Sequence, residues 1–216
     1  MFITFEGLDF SGKTTQAQLL VSKLGSRPLP GEQAVRPVRF IREPGGTKIS
    51  ERLREILLDR KNLELHQTTE LMLFSASRAQ LVAEVIRPAI LRGETVVCDR
   101  YYDSTTAYQG YGRGLDLEAI GHINTVATGG LVPDLTVFID IDPDEIGRRQ
   151  QLAGLSADRM ESSGKEFYTR VRQGYLEMVN REPHRIARVG GMAPIQEIEQ
   201  AVWKILESTV THSRVK

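Results

Sequence analysis

The chain has a single cysteine in 216 residues, which excludes an internal disulfide framework and fits a reducing compartment. That residue, Cys98, lies in an apolar run, where a small buried core residue is its ordinary role. No run of about 18 apolar residues occurs, and position 1 leads straight into a hydrophobic strand pattern. A soluble, cytoplasmic protein without membrane contact is therefore expected. Net charge is missing too, since 28 basic residues balance 28 acidic ones. Bulk attraction to nucleic acid or membrane is not expected, so phosphate recognition must come from local groups of Arg and Lys. The histidines, His66, His122, His184 and His212, are scattered without metal-ligand spacing. Internal repeats and low-complexity tracts are absent. A chain of this size buries roughly 70% of its unfolded surface, so residues 1–216 suit one domain with a full core.

What is present begins at the N-terminus. Phe2-Ile3-Thr4-Phe5 is a short apolar run that reads as a buried strand. Gly7-Leu8-Asp9-Phe10-Ser11-Gly12-Lys13-Thr14 then fits G-x-x-x-x-G-K-[ST], and Ala17, Leu20, Val21 and Leu24 follow at helical spacing. Strand, glycine loop and helix together separate a phosphate loop from a chance match or an ordinary glycine turn. Glycines let backbone N–H groups curl round phosphate oxygens, and the helix N-terminus adds partial positive charge. The nucleotide-binding set is Gly7, Leu8, Asp9, Phe10, Ser11, Gly12, Lys13, Thr14 and Thr15. Lys13 reaches the β- and γ-phosphates, and Thr14 supplies a hydroxyl for Mg²⁺. Binding of a nucleoside triphosphate follows.

Gly25 to Pro37 reads as a surface connection and Val38-Arg39-Phe40-Ile41 as a second strand. Arg42-Glu43-Pro44-Gly45-Gly46-Thr47 then forces a loop where ligands sit in open α/β sheets. Arg42 reads equally as a ligand contact or a solvated strand-end charge. Thr47 can cap a helix through Leu53, Ile56 and Leu57. Residues 65–92 read as a long helix bent near Pro88 and closed by Gly93. Phe74 and Arg78, spaced i, i+4, share a face. An aromatic plate beside a forked donor suits a planar base, although spacing alone favours a core Phe with a surface Arg. Thr95-Val96-Val97-Cys98 is a third strand ending in Asp99-Arg100-Tyr101, where Asp99 suits a second Mg²⁺-side acid or a helix cap. A helix over 102–108 and a loop over 109–114 follow. Asp116 to Thr128 reads as a helix and Leu135 to Ile139 as a fourth strand. A helix from Asp142-Pro143, a helix over 165–179, a strand over 185–189 and a C-terminal helix complete the chain. Ile195, Ile198, Val202, Ile205 and Leu206 line one face of that last helix. This alternation predicts an α/β fold with a parallel sheet of about five strands covered on both faces.

These stretches converge on one family. Phe5-Glu6-Gly7-Leu8-Asp9 through Lys13-Thr14-Thr15, Arg42 to Thr47, Leu73-Phe74-Ser75-Ala76-Ser77-Arg78 and Asp99-Arg100-Tyr101 carry the resemblance. Ser104 to Gly110, Pro133-Asp134-Leu135-Thr136, Asp158-Arg159-Met160-Glu161 and Arg170 to Leu176 continue it in order. The chain resembles the bacterial thymidylate kinases, phosphate-loop NTPase-fold enzymes that phosphorylate dTMP with ATP and Mg²⁺. The resemblance implies a homodimer, and a mobile lid over residues 152–164 that closes on ATP. It implies that Phe74 stacks on thymine, Arg78 donates to O4 and Thr105 faces N3. It further implies that Tyr108 excludes a 2′-hydroxyl and Asp9 accepts from the sugar 3′-OH. Arg42 and Arg100 would hold the acceptor phosphate, and Thr14 with Asp99 the metal. Lys13, Arg42, Arg100 and one further arginine would stabilise the transferred group.

That further arginine has no obvious source. The family draws it from the phosphate loop, where this chain has Phe10, or from a basic run in the lid, where it has Gln150-Gln151-Leu152-Ala153. Arg148, Arg149 and Arg159 remain, with Arg159 or Arg149 preferred and Arg148 read as a solvated helix charge. Two other classes compete. A nucleotide-dependent switch specific for guanine would need Asn-Lys-x-Asp after a late strand, and no such tetrapeptide occurs. Another nucleoside or nucleotide kinase would keep the chemistry and change the acceptor, but Phe74, Arg78 and Tyr108 favour a deoxypyrimidine monophosphate.

Overall fold

A computed structural model describes residues 1–154, 159–160 and 164–213. Five strands, β1 (Phe2–Gly7), β2 (Val38–Arg42), β3 (Thr95–Asp99), β4 (Leu135–Asp140) and β5 (Ile186–Gly190), form one parallel sheet. Their order is β2-β3-β1-β4-β5. The path leaves β1 toward one edge for β2 and β3 and then crosses to the other edge for β4 and β5. The carboxyl end of β1 is therefore the switch point, where a crevice opens between diverging connections. Register puts Phe5 opposite Asp99 on one side and Val137 on the other. β1, β3 and β4 are buried along their whole length, as near-continuous apolar runs in a parallel sheet require.

On one face α1 (Lys13–Ser26) and α9 (Ile195–Ser213) pack together over the sheet. Ala17, Leu20, Leu24, Val202 and Leu206 meet Ile3, Phe5, Val137 and Ile139 there. On the other face Leu8 and Phe138 meet Val171 and Tyr175 of α8 (Lys165–Arg181). Phe2, Val96 and Cys98 meet Leu81, Val82 and Ile86. α2 (Lys48–Leu58) starts at Thr47, whose side chain accepts from the Ser50 N–H. α6 (Leu117–Thr128) starts at Asp116, which accepts from Ala119 N–H. α7 (Asp144–Ala153) follows β4. Among the described residues no helix is long and apolar enough to cross a membrane.

The long helix expected over 65–92 is α3 (Gln67–Leu81), a π-helical turn Val82–Ile86 and α4 (Arg87–Leu91). Pro88 has no N–H for the carbonyl one turn earlier, and the wide turn before it accommodates that gap. The loop expected over 109–114 is corrected. After α5 (Tyr102–Thr105) the chain continues as a π-helical segment, Thr106–Gly112. Its glycines serve packing rather than turning. A Cβ on Gly110 would lie 2.5 Å from Leu117, and one on Gly112 would lie 2.6 Å from Phe167. Two apolar positions also differ from their expected faces, since Ile56 and Ile195 are 45% and 52% exposed.

Close approach of α8 to the 106–112 segment yields a stability test. A Cβ on Gly174 would sit 2.5 Å from the Tyr111 ring, whereas one on Gly121 meets nothing within 4 Å. Gly174→Ala is expected to lower the unfolding free energy by about 1–3 kcal/mol. Gly121→Ala, within α6, is expected to be neutral or to stabilise by up to about 1 kcal/mol. Urea titrations of both variants check the pair.

Candidate active site

β1 delivers the chain into the phosphate loop at Gly7, whose φ of 147° and a Cβ clash of 2.5 Å with the Ile139 carbonyl admit only glycine. Gly12 caps α1 in the left-handed region, so Lys13 starts the helix and the loop meets the helix N-terminus. The Lys13 ammonium lies 3.4 Å from the Leu8 carbonyl and 4.0 Å from Asp9. Burial, reinforced by the Arg100 guanidinium, pushes its pKa below the usual lysine value. The Thr14 hydroxyl donates to Asp99 Oδ2 at 2.5 Å. Asp99 Oδ1 and Ser11 Oγ are buried without a hydrogen-bond partner among the described residues. This group of hard oxygens suits a small divalent cation that completes its shell with water and phosphate.

Arg100 follows β3 with φ 71°, a left-handed conformation that is strained for a residue with a Cβ. Its backbone N–H donates to Phe5 O at 2.9 Å, tying the turn to the central strand. Nη2 donates to Asp9 Oδ1 at 2.6 Å and to the Tyr108 hydroxyl at 3.0 Å, and Nη1 to Ser104 Oγ at 3.0 Å. The Tyr108 and Tyr168 hydroxyls both donate to Asp9 Oδ2 at 3.1 Å. Burial alone would raise the Asp9 pKa, but Arg100, Lys13 and the two hydroxyls outweigh it and hold the group ionised.

Arg78 is 1% exposed, and its carrier α3 turns it toward the carboxyl ends of the strands. Nε donates to Glu43 at 2.9 Å, Nη1 to Asn124 at 3.2 Å, and Nη2 to Tyr101 O at 3.3 Å and Thr105 Oγ1 at 2.9 Å. These bonds engage four of the five guanidinium hydrogens and leave one on Nη1. Burial raises the Glu43 pKa, which the Arg78 charge counters. Phe74, one turn earlier, is half-buried. Arg42 is exposed and pairs with Glu51 at 3.2 Å, while Arg54 donates to Pro44 O at 2.9 Å. One cleft gathers Asp9, Lys13, Thr14, Asp99 and Arg100 with Arg42, Glu43, Arg54, Phe74, Arg78, Thr105 and Tyr108. Pro44, Leu58, Ser104, Gln109 and Met160 complete its wall.

Known proteins resemble the chain over most of its length. The family model described as "Thymidylate kinase" matches residues 5–202. The thymidylate kinase of Chlorobium luteolum is 46% identical over 214 residues, spanning 95% of this chain and 96% of the relative. That of Deinococcus radiodurans is 45% identical over 203 residues, with 94% of each chain covered. The crystal structure of thymidylate kinase from Ehrlichia chaffeensis aligns with a TM-score of 0.77 at 36% identity, covering 96% of this chain and 98% of that one. The chain belongs to the thymidylate kinase family.

Within this thymidylate kinase family member, the reading of Arg78 as a surface residue fails. The arginine is buried and Phe74 is the more accessible of the two. Asp99 caps no helix, because its carboxylate is turned to Thr14. Arg159, expected as a candidate for the further arginine that stabilises the transferred group, is engaged by other residues. Its guanidinium pairs with Glu70 at 2.6 Å and donates to Leu57 O at 2.8 Å, and it does not line the cleft. A buried carboxylate on α3 that already receives Arg113 and Gln109 holds it there. Its neighbours Asp158 and Glu161 lie outside the described residues. Arg149 instead reaches the loop. It donates to Phe10 O at 3.2 Å, Ser11 O at 3.4 Å and Gly191 O at 2.7 Å. Phe10 itself has φ 61°, so these bonds clamp a strained turn. Arg148 pairs with Glu145 at the surface, as expected of a solvated charge.

Sequence reasoning passed over Glu43, Arg54, Ser104, Gln109 and Tyr168. Glu43 sits inside the Arg-Glu-Pro-Gly-Gly-Thr turn, and Ser104 and Gln109 inside the Ser104 to Gly110 stretch, so position alone could have flagged these three. Nothing local marks Arg54 or Tyr168, whose roles come from helices packed across the cleft. Arg149→Ala is expected to weaken ATP binding about tenfold, because hydrogen bonds from a charged donor contribute roughly 1.5–3 kcal/mol. Titration calorimetry with ATP reads the effect, and unchanged affinity would free Arg149 from any part in shaping the loop.

Proposed function

We propose that the protein transfers the γ-phosphoryl group of ATP to dTMP, giving dTDP and ADP, with Mg²⁺ bound at Thr14 and Asp99. The observation that carries this reading is Arg78, locked by four acceptors with one Nη1 hydrogen left for a base at the cleft wall. Thymine offers the O4 acceptor there, whereas cytosine offers an amino donor that a fixed arginine repels. Phe74 would stack on the ring, and Thr105 would meet the N3 edge. Tyr108, held from both sides by Asp9 and Arg100, would leave no room for a 2′-hydroxyl, and Asp9 would accept from the 3′-OH. The acceptor phosphate is already ionised and nucleophilic, so the site needs no general base. Arg42 and Arg100 would hold it in line while Lys13 and the loop N–H groups bind the triphosphate. Bound Mg²⁺ would neutralise phosphate charge, and the unpartnered Asp99 Oδ1 is a ready ligand for it.

The same reading includes a homodimer and a cytoplasmic setting. α2, α3 and α6 pack side by side and carry exposed Ile49, Ile56, Met72 and Val126, an apolar surface suited to a second copy. Cys98, the one cysteine, is buried, in keeping with a reducing compartment. Residues 152–164 would cover ATP as a lid; of these, 155–158 and 161–163 lie outside the described residues.

A coupled assay with ATP and Mg²⁺ across dTMP, dCMP, AMP, GMP and thymidine is expected to show dTMP as the leading acceptor. Faster turnover of AMP or free thymidine would sink the assignment. Arg78→Ala is expected to raise the dTMP dissociation constant on the order of 10- to 100-fold, matching about 1–3 kcal/mol for a base-edge contact, with ATP affinity retained. Glu43 loses its counter-ion in that variant, so binding must be read well below its melting temperature. Sedimentation of the wild type should report twice the chain mass, and Val126→Glu should shift it toward monomer.

A further inference from the structure

Glu6 is wholly buried at the end of the central strand and touches no position where substrate would lie. Its carboxylate nevertheless accepts three hydrogen bonds from groups around Arg100. Oε1 accepts from the Tyr101 backbone N–H at 2.7 Å. Oε2 accepts from the Ser104 hydroxyl at 2.5 Å and the Tyr175 hydroxyl at 2.7 Å. A hydroxyl that donates to Glu6 turns a lone pair outward, and Ser104 Oγ receives Arg100 Nη1 at 3.0 Å on that side. Tyr175 is fixed in turn by stacking on Phe138 at 4.8 Å. Arg100 occupies a strained backbone conformation, and the peptide that follows it is the one Glu6 pins. Strain at such a turn persists only where its surroundings over-determine it.

We propose that Glu6 is a positioning residue for Arg100, holding its turn through the Tyr101 N–H and its guanidinium through Ser104. The inference rests on the reading of Arg100 as the arginine that grips the acceptor phosphate. Burial, followed by the nearby Asp103 carboxylate, raises the Glu6 pKa to about 7, against the pull of Arg100 and the two hydroxyls. The titratable groups facing it are Asp103 and Tyr102 of α5, Tyr175 of α8, Lys13 of α1, and Cys98 and Arg100 at the end of β3. Arg185 neutralises Asp103 through two bonds of 2.7 and 2.9 Å. Ionised Glu6 accepts all three donors. Protonated Glu6 must donate one of those bonds, which turns a hydroxyl away from it and loosens the relay to Arg100.

Steady-state kinetics with dTMP and ATP on Ser104→Ala and Glu6→Gln test the role, with melting temperatures recorded for both. In each variant kcat is expected to fall on the order of 10- to 100-fold, as misplacement of a reacting group does. The KM for ATP should stay within about twofold, because uniform binding of the donor is untouched. The ratio of wild-type to Glu6→Gln kcat should grow as pH rises from about 6 to about 8, since only the wild type gains the carboxylate and the substrate's own titration cancels. Wild-type kcat in both variants, a ratio flat with pH, or a parallel loss of ATP affinity overturns the role. If Glu6→Gln does not fold, the kcat-against-KM split of Ser104→Ala decides alone. Hydrogen exchange at the Tyr101 amide separates this inference from the reading beneath it. Exchange should be slow in the wild type and faster in Glu6→Gln whichever acceptor the enzyme uses, and equal rates remove the pin. A wild type inactive on dTMP would sink the function but leave that comparison standing.

Discussion

Asp9 lies between two cations, the half-buried Arg100 at 2.6 Å and the buried Lys13 at 4.0 Å. Without that carboxylate, a lysine of the phosphate loop and an arginine from the next strand would repel each other where water screens poorly. With it, both are held at the carboxyl end of the sheet. The arrangement depends on sheet order. β1 and β3 are neighbours, so the loop after one and the turn after the other open onto the same crevice. Lys13, Thr14 and Arg100 therefore line one cleft, with Asp9 between Lys13 and Arg100.

Around this centre, several buried charges among the described residues find partners from other elements. Glu43 after β2 takes Arg78 of α3, and Asp103 of α5 takes Arg185 ahead of β5. The latter pair continues through Thr136 to Thr4, crossing β4 and β1 at 2.8 Å. Such pairs contribute little net stability, because desolvation offsets their attraction, but removing one partner is severe. Their value here is geometric. They fix α5 to the sheet, and α5 carries Ser104 and Thr105 into the cleft. Arg78 is held for the same reason: its neighbours leave it one orientation.

The question raised by Phe10 also resolves into geometry. An aromatic side chain at that loop position packs with the core below, and its left-handed backbone exposes a carbonyl. Arg149, one turn from the end of α7, binds that carbonyl, so a positive charge from a neighbouring helix reaches the loop. Arg159, equally plausible from spacing, is drawn instead to Glu70 by a carboxylate too buried to remain unpaired.

Much of this was legible in order along the chain. Glycine spacing, Lys13 and Thr14 fall within one local stretch, and local backbone chemistry leaves a phosphate loop few alternatives. Apolar runs alternating with helical periods led to a parallel sheet of five strands for a similar reason, since strands buried on both faces read as mostly apolar runs, with a polar residue such as Thr4 or Glu6 tolerated only where it finds a hydrogen-bond partner. Tertiary structure alone decided the partners of each charge: Glu6 under Arg100, Glu43 against Arg78, Glu70 capturing Arg159, and Arg149 on the loop. It also turned residues 109–112 into helix, because Gly110 and Gly112 make room for side chains far away in sequence. A residue type announces what it can bond, but whether a buried carboxylate or an arginine arrives within 3 Å of it depends on strand order and helix packing, which no local spacing encodes.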